Sequence, residues 1–78
     1  MKAAVGSTLN VMGIVYGRSG DVERAVSTFR EALQLARTYR YVALESFVLG
    51  NLGIATKDLG DYRLSLTYYE QALALVRA

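Results

Sequence analysis

The chain contains no cysteine, no histidine and no proline. Without cysteine no disulfide can stabilise the fold, and without cysteine or histidine the usual ligands of zinc, haem and redox sites are missing. No glycine-rich loop followed by lysine and serine or threonine is present to bind phosphate, and the dispersed carboxylates form no pair suited to acid–base catalysis. We therefore expect no metal, no cofactor and no enzymatic activity.

Excess charge and long apolar runs are also scarce. Nine cations against seven anions give a net charge of +2, which is too small to indicate nucleic-acid binding by itself. No charge-free run reaches the roughly 18 residues that a membrane-spanning helix needs. The charge-free stretch 3–17 faintly resembles a secretory signal, but polar residues and glycines interrupt it. We expect a soluble, cytoplasmic protein.

Apolar residues are abundant for so short a chain, at 53% of 78 residues. A domain of this size buries only about 60% of the surface that its unfolded chain exposes. Some of this apolar surface should therefore face a partner.

The second half of the sequence repeats the first, with a period of about 40 residues. Gly13 recurs as Gly53, for example, and the residues of the first half that recur in this way are Gly13, Ile14, Gly20, Asp21, Ala32, Leu33, Leu35 and Arg37. A period of this size is typical of stacked-repeat proteins, in which each unit buries its apolar face against a neighbour.

Apolar residues recur every three or four positions, which predicts helices. Breaks fall at Gly20-Asp21 and Gly60-Asp61, where glycine can end one helix and aspartate can cap the next. The pattern predicts an all-α fold of four helices at about 3–18, 22–38, 42–59 and 62–77.

The connection at 37–42 is ambiguous because it contains no glycine, proline, asparagine or aspartate. A tight turn near 39–41 would stack both halves within one chain. A continuous helix over about 22–59 would splay the two hairpins apart and favour their exchange between chains. We favour the turn.

Several recurring pairs resemble the tetratricopeptide repeat, whose usual unit is about 34 residues long. The pairs are Met12-Gly13 with Leu52-Gly53, Gly20-Asp21 with Gly60-Asp61, and Ala32-Leu33 with Ala72-Leu73. The resemblance implies one domain over 1–78, an α-solenoid fragment of two helix–turn–helix repeats at 3–40 and 41–78. Thr56 and Ser65 depart from the pattern, where an aromatic residue and an alanine are expected.

The long period is similar to that of a branch of this family found in adaptor proteins and in the sensor arms of transcription activators and signalling ATPases. These arms bind proteins or small inducers. The resemblance therefore implies a protein–protein interaction module or scaffold, with a fragment of such an arm as the alternative.

The resemblance also implies that the first helix of each repeat lines a groove for a partner peptide or helix. The groove residues predicted on this basis are Asn10, Ile14, Arg18, Phe47, Asn51, Ile54 and Lys57. The isoleucines and Phe47 suit an apolar segment, with Arg18 and Lys57 at the rim to steer it. The alternative is that these side chains merely cover a short groove.

The last helix predicts self-association. Repeat arrays need polar caps at their ends, yet this helix carries Leu66, Tyr69, Leu73 and Val76 on one side. We expect a homo-oligomer, specifically a dimer, with neighbouring repeats as the alternative cover.

A cluster of cations and aromatics at 37–41 leaves nucleic-acid binding as a further alternative. Arg37, Tyr39, Arg40 and Tyr41 could pair with phosphates and stack on bases. A solvated corner between repeats explains the cluster equally well.

Overall fold

The computed structural model of the chain describes residues 1–77. These residues form the helices α1 (Lys2–Arg18), α2 (Val22–Tyr39), α3 (Val42–Asp58) and α4 (Tyr62–Arg77). The predicted bounds agree to within one residue, and the all-α class is confirmed. Ala78, the last residue of the predicted second repeat, lies outside the described residues.

The helices pack as two antiparallel hairpins that stack on each other. α1 pairs with α2, α3 pairs with α4, and the hairpins meet mainly where α2 packs against α3. α1 also touches α3 over a smaller area. The first helices of the two repeats therefore lie side by side, as a groove between them requires.

Each hairpin turn ends its first helix with a glycine in the left-handed region. Gly20 and Gly60 have φ angles of 88° and 86°. The next amide bonds back across the turn: Asp21 donates to the carbonyl of Tyr16 at 2.9 Å, and Asp61 to that of Thr56 at 2.9 Å. This pairing satisfies carbonyls that a helix end otherwise leaves without partners.

The connection between α2 and α3 makes the same turn without a glycine. Arg40 adopts φ 58° and ψ 40°, and the Tyr41 amide donates to the Ala36 carbonyl at 2.8 Å. The turn favoured from the sequence is confirmed. The continuous helix over 22–59 is wrong, because packing of α2 on α3 within one chain supplies the burial that the splayed form would lack. The chain therefore does not adopt the splayed form that would favour hairpin exchange.

Aspartate caps the second helix of each hairpin. The Asp21 carboxylate accepts from the Arg24 amide at 3.3 Å, and the Asp61 carboxylate from the Leu64 amide at 3.2 Å. Both caps satisfy an amide in the first turn of the helix that follows.

The core lies mostly between α2 and α3. Its buried apolar residues are Ala25, Val26, Phe29, Ala32, Leu33, Val48, Leu49, Leu52 and Ala55. The two departures from the repeat pattern are buried beside it with their hydroxyls paired: Thr56 donates to the Leu52 carbonyl at 2.7 Å, and Ser65 to the Gly53 carbonyl at 2.6 Å. The second repeat thus contains buried hydroxyls without leaving them unsatisfied.

Candidate partner-binding groove

A hollow of about 290 Å³ lies between the C-terminal halves of α1 and α3. We call it the inter-repeat groove, and its lining residues are Gly13, Ile14, Gly17, Arg18, Val22, Phe29, Asn51, Ile54, Ala55 and Asp58. A larger hollow of about 650 Å³ lies along α2 and is lined by residues of that helix alone. The inter-repeat groove is the better candidate because several helices wall it, and because an apolar lining with a few convergent polar groups is typical of binding sites.

Two glycines of α1 let its backbone approach α2 and leave room in the groove. Gly13 is buried against the ring of Phe29, and an added Cβ there would overlap that ring. Gly17 is less tightly packed, since an added Cβ would lie 3.8 Å from the Cβ of Ala25. Glycine in a helix interior is unfavourable by about 1 kcal/mol relative to alanine, so the close contact at Gly13 explains that residue best.

An amide pair connects the two helices that form the walls. Asn51 donates through Nδ2 to Oδ1 of Asn10 at 2.8 Å, and both side chains are half-buried. A side-chain hydrogen bond of this kind is worth about 1 kcal/mol and also sets the relative position of α1 and α3. The Asn10–Asn51 pair therefore holds the N-terminal end of the groove.

Opposite charges lie at the C-terminal end of the groove. Arg18 is the last residue of α1 and Asp58 the last residue of α3, and both side chains are exposed. They occupy equivalent positions in the two repeats, and no ion pair joins them within residues 1–77. Each can therefore pair with a partner's charge.

The structure brings together four of the seven predicted groove residues. Ile14, Arg18, Asn51 and Ile54 line the groove, and Asn10 adjoins it through its bond to Asn51. Ile14 is half-buried and Ile54 is 50% exposed, so the two isoleucines present an accessible apolar wall on each side.

Phe47 and Lys57 do not line this hollow. Phe47 precedes Ile54 by two helical turns, or about 10 Å along α3. It lies instead at a third hollow, of about 390 Å³, between α3 and α4, with Val42, Ala43, Ser46, Leu75 and Val76. Lys57 is exposed on the side of α3 next to the groove face, and the adjacent Asp58 occupies the rim.

Asp58 is a rim residue that sequence reasoning missed. A signal is present, because Asp58 is the equivalent in the second repeat of Arg18, which is predicted to lie at the rim. The nearby Gly60 makes the position of Asp58 at the rim hard to recognise from the sequence, since aspartate close to glycine is also typical of a turn.

Residues 4–78 match the tetratricopeptide-repeat family. No curated protein and no solved structure matches the chain.

The chain belongs to the tetratricopeptide-repeat family. The match spans both hairpins and confirms the resemblance seen in the paired Gly and Ala-Leu positions. Domains of this family generally mediate protein–protein interactions and are typically not enzymes. In such repeats the groove is formed by the first helix of each unit, which corresponds here to α1 and α3.

Three of the four residues in the basic and aromatic cluster of this tetratricopeptide domain have side-chain partners within the fold. Arg37 donates through Nε to Oε2 of Glu45 at 3.1 Å and through its terminal nitrogen to Oε1 of Gln71 at 3.0 Å. The rings of Tyr39 and Tyr41 stack with centroids 5.9 Å apart. These contacts match the inter-repeat corner that the sequence offered as the alternative to nucleic-acid binding.

The residues predicted to self-associate are exposed on α4, and Val76 also lines the hollow between α3 and α4. Leu66, Leu73 and Val76 are exposed, and Tyr69 is partly covered because its ring packs under Gly53. Their exposure agrees with the prediction, whereas self-association itself stays a prediction.

Within residues 1–77 no cluster of three or more potential ligands could hold a metal ion. Among the same residues, no helix combines the length and the apolar character that crossing a membrane requires.

Proposed function

We propose that this tetratricopeptide domain binds a peptide segment of a partner protein in the inter-repeat groove. The observation that carries the proposal is the pair of isoleucines, Ile14 on α1 and Ile54 on α3, which line one hollow together with Gly13 and Gly17. An apolar side chain seated between them would gain roughly 1.5–3 kcal/mol from burial.

The charges at the groove's end specify the partner further. Arg18 and Asp58 lie at the same end of the groove, one helical turn beyond the isoleucines, so they favour a segment with an acidic and a basic residue at that end. Such pairs at the rim act mainly on the association rate and on orientation. The proposed ligand is therefore an apolar anchor with an acidic and a basic residue beyond it, presented by a peptide or a partner helix.

A small inducer, which the long-repeat sensor arms also bind, is less well supported. Pockets for small molecules usually enclose most of the ligand's surface, whereas this hollow, of about 290 Å³, has the exposed residues Arg18, Ile54 and Asp58 in its lining and would leave a ligand partly in water. Membership of such an arm stays an alternative, and the cytoplasmic location stays a prediction.

A displayed library of random peptides tests the groove. Peptides selected on the parent chain are measured by fluorescence anisotropy against Ile54→Glu, which places a carboxylate in the apolar wall. We expect affinity to fall at least about ten-fold. Leu66→Glu is the matched control, because Leu66 is 58% exposed on α4, away from the groove.

Equal binding by the parent chain and Ile54→Glu would reject the groove as the site. Binding lost equally in Leu66→Glu would instead place the peptide on the outer side of α4. Circular dichroism of each variant verifies that the helices remain folded.

We also propose that the chain self-associates through the exposed side of α4. A helix side carrying four exposed or partly exposed apolar residues in register is costly to leave in water, and a second copy offers the required apolar surface.

A further inference from the structure

We infer that copies of this chain join head to tail, with the outer side of α4 in one copy packed against the outer side of α1 in the next. The inference rests on the proposed self-association and adds which surface α4 meets. It follows from comparing each exposed surface with its equivalent in the other repeat.

The exposed side of α4 is the counterpart of a buried side of α2. We call it the α4 outer face, formed by Tyr62, Leu66, Tyr69, Leu73 and Val76. The equivalent residues of the first repeat are Val22, Val26, Phe29, Leu33 and Ala36, which are buried or half-buried where α2 meets α3. The α4 outer face therefore has the pattern of a surface that another helix covers.

The outer side of α1 is the counterpart of the helix that provides this cover. We call it the α1 outer face, formed by Val5, Thr8, Met12 and Val15, all exposed. The equivalent residues of the second repeat are Glu45, Val48, Leu52 and Ala55 on α3, of which the last three are buried. The chain thus exposes one half of its own α2–α3 interface at each end, and a junction between two copies would continue that interface.

Charge argues against a symmetric pair of α4 helices. Arg63, Glu70 and Arg77 border the α4 outer face at seven-residue intervals. An antiparallel α4–α4 pair centred near Glu70 would place Arg63 of each copy near Arg77 of the other and the two Glu70 carboxylates near each other. Like charges across an interface are unfavourable. The α1 outer face, by contrast, lies in the charge-free stretch 3–17 and offers no like charge.

Two different surfaces make the contact heterologous. Such a contact leaves one free face of each kind on every assembly, so addition continues unless the rotation between copies closes a ring. We therefore expect the average mass to rise with concentration beyond that of a dimer.

One contact of the internal interface is missing at the junction. Inside the chain, Nε of Arg37 lies 3.1 Å from Oε2 of Glu45. The equivalents at the junction are Arg77 of one copy and Val5 of the next, so the cation is kept and the carboxylate is lost. Val5→Glu would restore the pair and should tighten association several-fold, and Arg77→Ala should remove that gain.

Sedimentation velocity of the full chain, from low to high micromolar concentration, tests the junction with one variant for each face. Leu73→Glu blocks the α4 outer face and Met12→Glu blocks the α1 outer face. Each variant alone should be monomeric. An equimolar mixture should form a complex of one Leu73→Glu chain and one Met12→Glu chain, because each variant keeps the face that the other has lost.

The alternative outcomes are distinguishable. If Met12→Glu alone still dimerises, α4 pairs with itself, so the head-to-tail arrangement fails while self-association stands. If Leu73→Glu alone still dimerises, α1 pairs with itself and the proposal fails. A parent chain that stays monomeric at high micromolar concentration overturns both the arrangement and self-association, and leaves another occupant for these faces.

Control variants show whether the loss of self-association is specific to the two faces. Ile54→Glu lies in the inter-repeat groove and should self-associate as the parent does; a loss equal to that of Leu73→Glu would overturn the assignment of faces. Val15→Glu and Leu66→Glu replace any blocking variant that fails to fold. Weaker association of Val5→Glu would contradict the register taken from the α2–α3 interface.

Discussion

Replacing Gly13 by alanine should destabilise the fold, although alanine is the better helix former. Gly13 lies in the interior of α1 directly over the ring of Phe29, and an added Cβ would lie within 2.9 Å of three ring atoms. Phe29 is only 3% exposed and is held in the core between α2 and α3. The ring is therefore held by its core neighbours and can give way only toward the inter-repeat groove, which it lines.

The magnitude follows from two opposing terms. Alanine gains about 1 kcal/mol over glycine in a helix interior, whereas overpacking a closed core costs about 1–3 kcal/mol. We expect a net loss of about 1 kcal/mol in the free energy of unfolding. Since about 1 kcal/mol shifts Tm by about 4–8 °C in a domain of this size, the effect is measurable.

Gly50→Ala is the matched control in α3. A Cβ at Gly50 would have nothing within 4 Å, so only the propensity term acts, and stability should rise by about 1 kcal/mol. Gly53→Ala should fall between the two. Its Cβ would lie 2.7 Å from the ring of Tyr69, but that side chain is 38% exposed and can move toward solvent.

Urea unfolding followed by circular dichroism at low micromolar concentration measures the series, since dilution limits self-association. The expected order of stability is Gly50→Ala, parent, Gly53→Ala and Gly13→Ala. A Gly13→Ala variant as stable as Gly50→Ala would refute the close approach of α1 to Phe29. A shared loss in both would refute the assignment of open space at Gly50.

Substitutions at Arg40 and Arg37 test the turn between the repeats, and Gly60→Ala in the turn between α3 and α4 serves for comparison. Arg40→Gly should raise the free energy of unfolding in urea by about 0.5–1 kcal/mol, because glycine adopts the left-handed conformation without the Cβ penalty. Gly60→Ala should lower it for the same reason. A destabilised Arg40→Gly variant would contradict the left-handed conformation at position 40. Arg37→Met should lower the free energy of unfolding by about 0.5–1 kcal/mol, because the hydrogen bonds to Glu45 and Gln71 are lost. The free energy of unfolding should also depend less on salt concentration. An unchanged salt dependence would show that the Arg37–Glu45 ion pair does not contribute to stability.

The helices were predictable because their signals are local. Gly20 and Gly60 mark two helix ends, and Asp21 and Asp61 mark the starts that follow, whatever the rest of the chain does. The turn between α2 and α3 was ambiguous because its left-handed residue is Arg40, and arginine has no intrinsic preference for that conformation. Burial of α2 against α3 decides it, and that contact joins residues far apart in sequence.

The groove was predictable in part. The equivalence of the two repeats and the family resemblance indicated that Ile14 and Ile54 share a surface, since equivalent helices present equivalent sides. The repeat equivalence and the resemblance could not place Phe47 outside the inter-repeat groove or Asp58 at its rim. The lining of the groove depends on how far α1 and α3 are displaced and rotated relative to each other.

The sequence by itself determined the helical class, the helix bounds and the division into two equivalent repeats. These follow from apolar periodicity, glycine conformation and aspartate capping, each of which acts over a few residues. Only the tertiary structure decided the turn at Arg40, the lining of the inter-repeat groove and the pairing of internal with exposed faces. Those features depend on which helices touch, and contact between distant segments is set by the packing of the whole chain.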